Sequence, residues 1–285
     1  MTLHLRRAKA ADAPILGDIC YRAFKAIADE HNFPPDFPNA EAATGAIAGM
    51  ISHERVFDAV AEIDGRIVGG NFLHEVNRIA GVGPITVDPA VQNDGAGRAL
   101  MGAVTERAAE RGFAGVRLTQ AGYHRRSLAL YLKLGFEARE PLACLQGPAI
   151  GAVAPGYAVR PANEDDIPAC NRLCLAVHGH DRGGELAEAV GRGSAHIVER
   201  QGRITGYTTA IAFFGHTVAQ TNEDVRALVC AADAIAGPGL LVPMRNGALM
   251  RWCLDQGLRI TQTLTLMSTG LYNQPEGAWL PSVIY

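Results

Sequence analysis

Two glycines one residue apart, Gly95 and Gly97, stand in the run Gln92-Asn93-Asp94-Gly95-Ala96-Gly97-Arg98, directly before a stretch with helical periodicity. Glycine lacks a Cβ, so such a run lets the backbone turn tightly and come close to a ligand. Leu100, Met101, Val104 and Ala108 then recur at the spacing of one buried helix face, and Gly112 is placed to end the helix. The free N–H groups of the first turn, with the positive end of the helix dipole, point into the loop. That arrangement binds an anion such as a pyrophosphate. Upstream, Ile85 to Val87 is the expected strand; it ends at Asp88-Pro89, because proline fixes its own φ, lacks an N–H and restricts the residue before it.

A strand, glycine loop and helix serve dinucleotides and nucleoside triphosphates as well. Here Leu100 occupies the place of a third dinucleotide glycine, and no Lys-Ser or Lys-Thr follows Gly97. Residues Val87 to Met101 instead read Val-x-Pro-x-x-Gln-x-x-Gly-x-Gly-Arg-x-Leu-Met. Further on, His124 to Phe136 keep the Leu130-Tyr131 and Gly135-Phe136 elements of the pattern Asn-x-x-Ala-x-x-Leu-Tyr-x-x-x-Gly-Phe, with His124 and Ser127 in place of Asn and Ala. Together these two motifs resemble the GNAT-type N-acetyltransferase superfamily.

The resemblance implies acetyl-CoA as acyl donor and no metal. It implies that backbone amides of Gln92, Asn93, Asp94, Gly95, Ala96, Gly97 and Arg98 hold the coenzyme pyrophosphate. The pantetheine arm would lie between the strand carrying Ile85 and Val87 and the strand Gly115 to Gln120, close to His124 and Ser127. Tyr131 would lie near the thioester sulfur and protonate the departing thiolate. In the same family the segment between the first two helices overlies the acceptor site. Here that segment is His31-Asn32-Phe33-Pro34-Pro35-Asp36-Phe37-Pro38, and Phe33 and Phe37 are the expected acceptor-pocket residues.

The elements that must position these groups follow from pattern. Leu3 and Leu5 suggest an edge strand. Ala11-Asp12 starts a helix whose apolar side is Ile15, Ile19, Phe24 and Ile27. Asn39 to Glu54 suggest a second helix, and Val56 to Ile63, Asp64-Gly65 and Arg66 to Val76 form a β-hairpin. A primary amine with a pKa of about 10.4 must lose a proton before it attacks, so a base or water path is required. His74, Glu75, Glu30 and His31 are candidates; Glu75, a carboxylate on the strand beside the expected thioester, is the choice.

After Gln146 a stretch rich in glycine, alanine and proline reads as a linker over residues 148–156. The chain then starts again. Tyr157 to Ile167 repeats the layout of Leu3 to Ile15, and Ser194 to Phe214 repeats the hairpin of Val56 to Val76. The copy fails at the phosphate loop. Thr221-Asn222-Glu223-Asp224 has no glycine pair, and its acids would repel a pyrophosphate. Trp252 stands where the tyrosine would. The expected fold is therefore α/β in layers: two tandem GNAT-like domains, each a mixed, mainly antiparallel, twisted sheet flanked by helices. Residues 1–147 are expected to be catalytic, and 157–285 a degenerate copy that packs on the first, shapes its acceptor site or makes a homodimer. The aromatic tail from Tyr272 to Pro281 is expected to dock on the body.

Composition narrows the setting. With 285 residues, 48% of them hydrophobic, the chain can build a large core, and a formal net charge of -3 with no basic run argues against nucleic acid and membrane surfaces as partners. The charged start MTLHLRRAKA and the lack of a long apolar window point to a cytoplasmic protein. Six scattered cysteines read as core residues, not as a disulfide framework. The expected activity is transfer of an acetyl group to a primary amine by direct attack on the thioester. The acceptor would be a small-molecule amine, with protein lysine compatible. The alternative is a non-catalytic acyl-CoA sensor.

Overall fold

Two hairpins mark the repeat. Asp64-Gly65 and Gln201-Gly202 both take left-handed backbone, with φ of 50° and 78° in the first and 54° and 70° in the second, the geometry of a two-residue hairpin turn. The computed structural model describes residues 2–91 and 95–284. Its first run is β1 (Leu3–Arg6), α1 (Ala13–Glu30), α2 (Ala40–Ser52), β2 (Val56–Ile63), β3 (Arg66–His74), β4 (Ile79–Val82), β5 (Thr86–Val87), α3 (Ala96–Glu110), β6 (Gly115–Ala121), α4 (Arg125–Lys133) and β7 (Glu137–Gln146). The second is β8 (Tyr157–Pro161), α5 (Ile167–His178), α6 (Gly183–Gly191), β9 (His196–Arg200), β10 (Arg203–Thr208), β11 (Thr217–Ala219), α7 (Asn222–Ala231), β12 (Leu240–Pro243), α8 (Gly247–Asp255) and β13 (Arg259–Gly270), closed by β14 (Ala278–Leu280). Apart from β5 and β14 the two runs match element for element.

The same polar brace starts each copy. Arg6 on β1 reaches Asp12 at 2.6 Å and Glu62 at 2.7 Å; Arg160 on β8 reaches Asp166 at 2.7 Å and Glu199 at 2.9 Å. Each aspartate also accepts from a backbone N–H at the first turn, of Lys9 and of Asn163, so the brace fixes strand to helix start in both.

The sheets do not respect the boundary between copies. One runs β1-β2-β3-β4-β6-β13-β7-β12, with β5 paired to β3, and the other runs β14-β11-β10-β9-β8. Strand β13 lies between β6 and β7, pairing Leu264 to Gly270 with Ala121 to Gly115, while β7 in turn lies between β13 and β12. Each copy thus inserts its last strand into the other. Residues 1–147, expected as a self-contained domain, lack one central strand, and residues 157–285 supply it. The reason is hydrogen bonding: β6 and β7 would otherwise expose unpaired edges.

The first copy's sheet carries α1 and α2 on one face, around Leu16, Cys20, Ile47 and Phe72, and α3 and α4 on the other, around Leu73, Met101, Val104 and Tyr131. A further cluster joins the copies through Leu142, Cys144, Leu241, Leu264, Leu266, Phe213 and Trp279. Five of the six cysteines are buried and all six are free.

Of the strands not expected, one bears directly on the site. Ile79–Val82 is four buried residues without alternation, and it is this β4 that pairs in parallel with β6, Ile79–Gly81 against Gly115–Arg117. The strand at Ile85 to Val87, expected to lie opposite Gly115 to Gln120 with a gap for the pantetheine arm between them, pairs on its other side with β3 through Thr86↔Gly70 and Val87↔Gly69.

Candidate active site

That change of partner makes the site. Past Gly81 the chain leaves β6, turns at Gly83 with φ 143°, and returns to β3 as β5. The close approach needs Gly69: a Cβ there would sit 2.4 Å from the Thr86 carbonyl oxygen. The outer part of β6, Leu118 to Ala121, is thereby parted from β5, and a cavity of about 190 Å³ opens through the sheet. Gly83 to Val87 form one wall and Leu118 to Ala121 another; His124, Ser127 and Tyr131 of α4 and Ala23, Phe24 and Ile27 of α1 close the sides.

Most of the residues singled out in the sequence meet here. Ile85, Val87, His124, Ser127, Tyr131 and Phe37 all line the cavity. Gly95, with φ 84°, is the N-cap of α3, and the first backbone bond of that helix runs from Ala99 N–H to the Gly95 carbonyl at 3.0 Å. The amides of Ala96, Gly97 and Arg98 therefore lie at the open end of the helix. Ala96 is buried against the sheet, Gly97 faces Leu130 and Val87, and Arg98 is exposed. Gln92, Asn93 and Asp94 lie outside the described residues.

Tyr131 is buried, and burial raises its phenol above the usual value, so it holds its proton across the neutral range. His124 has its imidazole pKa lowered by burial first and by Arg126 second, and its buried Nδ1 has no hydrogen-bond partner among the described residues. Ser127 is committed locally: its hydroxyl donates to the His124 carbonyl at 2.9 Å and accepts from Gln120 Nε2 at 3.2 Å. Phe33 is one layer removed, stacked at 4.2 Å on Tyr123, which itself lines the cavity.

The chosen base is misplaced. Glu75 accepts from Arg107 Nε at 2.6 Å and Nη2 at 3.1 Å, lies 3.7 Å from Arg111, and does not line the cavity. It follows directly on β3 and faces Arg107 of α3 and Arg111 at the C-cap of that helix, so it is a structural ion pair. His74 points the other way and shares a hydrogen bond of 2.9 Å with the Gly83 carbonyl, bracing the turn into β5. His31 is similarly used, 3.0 Å from the Ile27 carbonyl.

Other groups in the cavity were not foreseen. Asp36 sits on the loop between α1 and α2, and Gln262 of β13 donates to its Oδ1 at 3.3 Å. Phe213, Phe214, Leu264, Val283 and Ile284 also come from the second copy, and the Thr119 hydroxyl donates to the Val283 carbonyl. The sequence offered a hint only for Asp36, an acid between Pro35 and Phe37 in a segment already marked as overlying the site.

The corresponding place in the second copy is filled. Strand β14 pairs with β11, Thr217↔Leu280 through Ala219↔Ala278, and packs beside β12, so the tail occupies the gap. Helix α7 starts with a capping box of Thr221 and Asp224, and Asn222 and Asn246 exchange amide hydrogen bonds of 2.7 and 3.0 Å between the starts of α7 and α8. The linker residues Ile150 and Val153 pack with Met250 and Trp252 over the same helices.

Comparison with known proteins fits this layout. The Acetyltransferase (GNAT) family pattern matches residues 23–136. No protein with a curated description matches the chain in sequence. Among solved structures, a candidate acetyltransferase from Pyrococcus horikoshii has a TM-score of 0.73 at 16% identity, covering 99% of this chain and 92% of its own. A GCN5-related N-acetyltransferase from Sphaerobacter thermophilus has a TM-score of 0.65 at 15% identity, with 95% and 96% covered. A tandem GNAT protein from the clavulanic acid biosynthesis pathway, solved without AcCoA, has a TM-score of 0.56 at 14% identity, with 94% and 98% covered. At these identities the likeness is one of fold. Residues 23–136 match the Acetyltransferase (GNAT) family's own pattern, and over nearly its whole length the chain shares the fold of these acetyltransferase structures.

Proposed function

We propose that this chain is an acetyl-CoA-dependent N-acetyltransferase that transfers an acetyl group to the primary amine of a small molecule by direct attack on the thioester. One observation carries the proposal: the gap between β5 and β6, flanked by the open end of α3 and by buried Tyr131, lies in the copy that matches the family. The residues fit the donor. Gly95, Ala96, Gly97 and Arg98 would offer backbone amides to a pyrophosphate, and glycines at Gly95 and Gly97 leave room for it. The walls of Ile85–Val87 and Leu118–Ala121 suit an extended apolar arm with amide groups. Acetyl-CoA supplies the acetyl group as an activated thioester. Tyr131, held neutral by burial, is the proton donor for the leaving sulfur.

Release of free thiol from acetyl-CoA, screened against a panel of amines, tests the activity. Tyr131→Phe is expected to lower kcat by about 100-fold, while the dissociation constant for coenzyme A changes less than about twofold, because the hydroxyl acts after binding. Tight coenzyme binding with no turnover on any amine would favour a sensor in place of an enzyme. Titration calorimetry is expected to give one coenzyme per chain. Two would mean that the second copy, despite β14, binds as well.

A further inference from the structure

Among the described residues, every buried carboxylate has an arginine beside it. Asp12 has Arg6, Asp58 has Arg7, Asp88 has Arg22, Glu140 has Arg245, Asp166 has Arg160 and Asp224 has Arg200. The reason is general: removing a carboxylate from water costs several kcal/mol unless a cation or strong donors compensate. Asp36, half-buried, stands apart from them. It lines the candidate active site, where among the described residues no lysine, no arginine and no second carboxylate joins it, and its side-chain partner is the neutral amide of Gln262 at 3.3 Å. Burial accordingly raises its pKa above the ordinary carboxylate value, and the Gln262 hydrogen bond partly opposes that rise. A carboxylate set in a cavity without a cation is complementary to a ligand that brings one.

The rest of the lining states what that cation is attached to. Phe24, Phe37, Met50, Phe214 and Leu264 line the same cavity with apolar surface. We propose that Asp36, positioned by Gln262 from the second copy, receives the ammonium group of the acceptor and takes its proton, and that the acceptor is a primary amine on an apolar, aliphatic or aromatic body. This rests on the acetyltransferase reading and deepens it. It also gives the second copy a task, since β13 both completes the sheet and brings Gln262 to the site.

The step balances. The ammonium loses one proton to Asp36, and its nitrogen gains the lone pair with which it bonds to the acetyl carbon. The carbon–sulfur bond breaks with its electron pair going to sulfur, which takes a proton from Tyr131. The nitrogen sheds its second proton as the amide forms, and that proton restores the tyrosine through solvent. The net products are the N-acetylated amine, free thiol and one proton, the one Asp36 releases.

The test uses butylamine, hexylamine, benzylamine, phenethylamine and tryptamine with the full-length protein. The wild type is expected to acetylate at least one. On that amine Asp36→Asn should lower kcat/KM at pH 7 by about 100- to 1,000-fold, and the residual rate should climb about tenfold per pH unit toward the amine pKa, since only free amine then reacts. Gln262→Leu should move the acid limb of the wild-type profile to higher pH, because the hydrogen bond that lowers the Asp36 pKa is gone. Calorimetry of the same amines against protein saturated with coenzyme A gives a readout independent of turnover, and Asp36→Asn should weaken binding at least tenfold. If Asp36→Asn proves unstable in a thermal melt, Asp36→Glu, which keeps the charge, and Gln262→Leu decide. Asp36→Asn with kcat/KM within threefold of wild type and an unchanged pH profile would overturn the inference alone. A wild type that acetylates no amine but binds apolar amines in an Asp36-dependent way would sink the enzyme reading and leave the site standing. A wild type that neither acetylates nor binds them overturns both.

Discussion

Residues 1–147 expressed alone should give no cooperative thermal transition, although they contain the family pattern, the glycine loop and Tyr131. The missing piece is β13. Its Leu264, Leu266 and Met267 are 5%, 0% and 0% exposed, packed against β6, β7 and the helices beyond. Burying three such side chains contributes roughly 5–9 kcal/mol, which is comparable to the total of about 5–15 kcal/mol that holds an ordinary domain together. Both ladders go as well: β6 loses Gly115 to Ala121 and β7 loses most of its length. The buried Glu140 carboxylate loses Arg245, which lies 2.9 Å away in the second copy. Mixing the fragment with residues 148–285 should restore a transition, since each half holds the other's strand. Circular dichroism melts and gel filtration read both outcomes. A monomeric fragment melting as sharply and as high as the whole chain would show that the exchanged strand is dispensable.

What the sequence disclosed was local. The turns at Asp64-Gly65 and Gln201-Gly202, the start of α1 at Asp12 and of α5 at Asp166, and the end of α4 before Gly135 each depend on a few adjacent residues whose backbone preferences are strong. The repeat is local information read twice. Partnership between distant strands is not. Residues 259–270 alternate enough to announce a strand, but alternation fixes a face and leaves the neighbours open, so the exchange of β7 and β13 had no sequence signal. The same blindness placed Glu75 wrongly. Its partners Arg107 and Arg111 are one turn apart on α3, a spacing that could have been matched to an acid on the strand beneath. Asp36 was passed over for a different reason. The role proposed for it rests on the lack of an arginine beside it among the described residues, and an absence of that kind is visible only when the neighbours are in place.

Acidification from pH 7 to pH 5 should cost this protein much of its stability through three histidines of the second copy. His178, His180 and His216 are 1%, 4% and 0% exposed, with ring centroids 5.7 Å apart for His178 and His180 and 5.3 Å for His178 and His216. Trp279 stands edge-on to His178 at 5.3 Å, and among the described residues neither ring nitrogen of His178 has a hydrogen-bond partner. The cations Arg117 and Arg182 face the group, Glu185 pairs with Arg182, and the Asp181 carbonyl meets His180 Nδ1. Burial first and these arginines next lower all three imidazoles, His180 to about 4 and the other two well below their usual 6.5. The unfolded chain therefore binds more protons than the folded one below pH 6.5, and the stability present above that value is lost as pH falls. Each histidine contributes about 1.4 kcal/mol per pH unit in that window, so three contribute about 4 kcal/mol per unit. The arginine-paired Asp12, Asp88 and Asp166 have lowered values and respond only below the usual carboxylate pKa of 3.8, which separates their window from that of the histidines. Urea midpoints at pH 7, 6 and 5 should fall steeply, and His178→Phe, which keeps a ring against Trp279 and removes one titrating group, should flatten the fall by about a third of the share these three contribute. His74 and His124, also lowered by burial, add to the fall in the same direction, so midpoints that hold steady from pH 7 to pH 5 would mean that these buried imidazoles gain protons in the folded protein as readily as in the unfolded one.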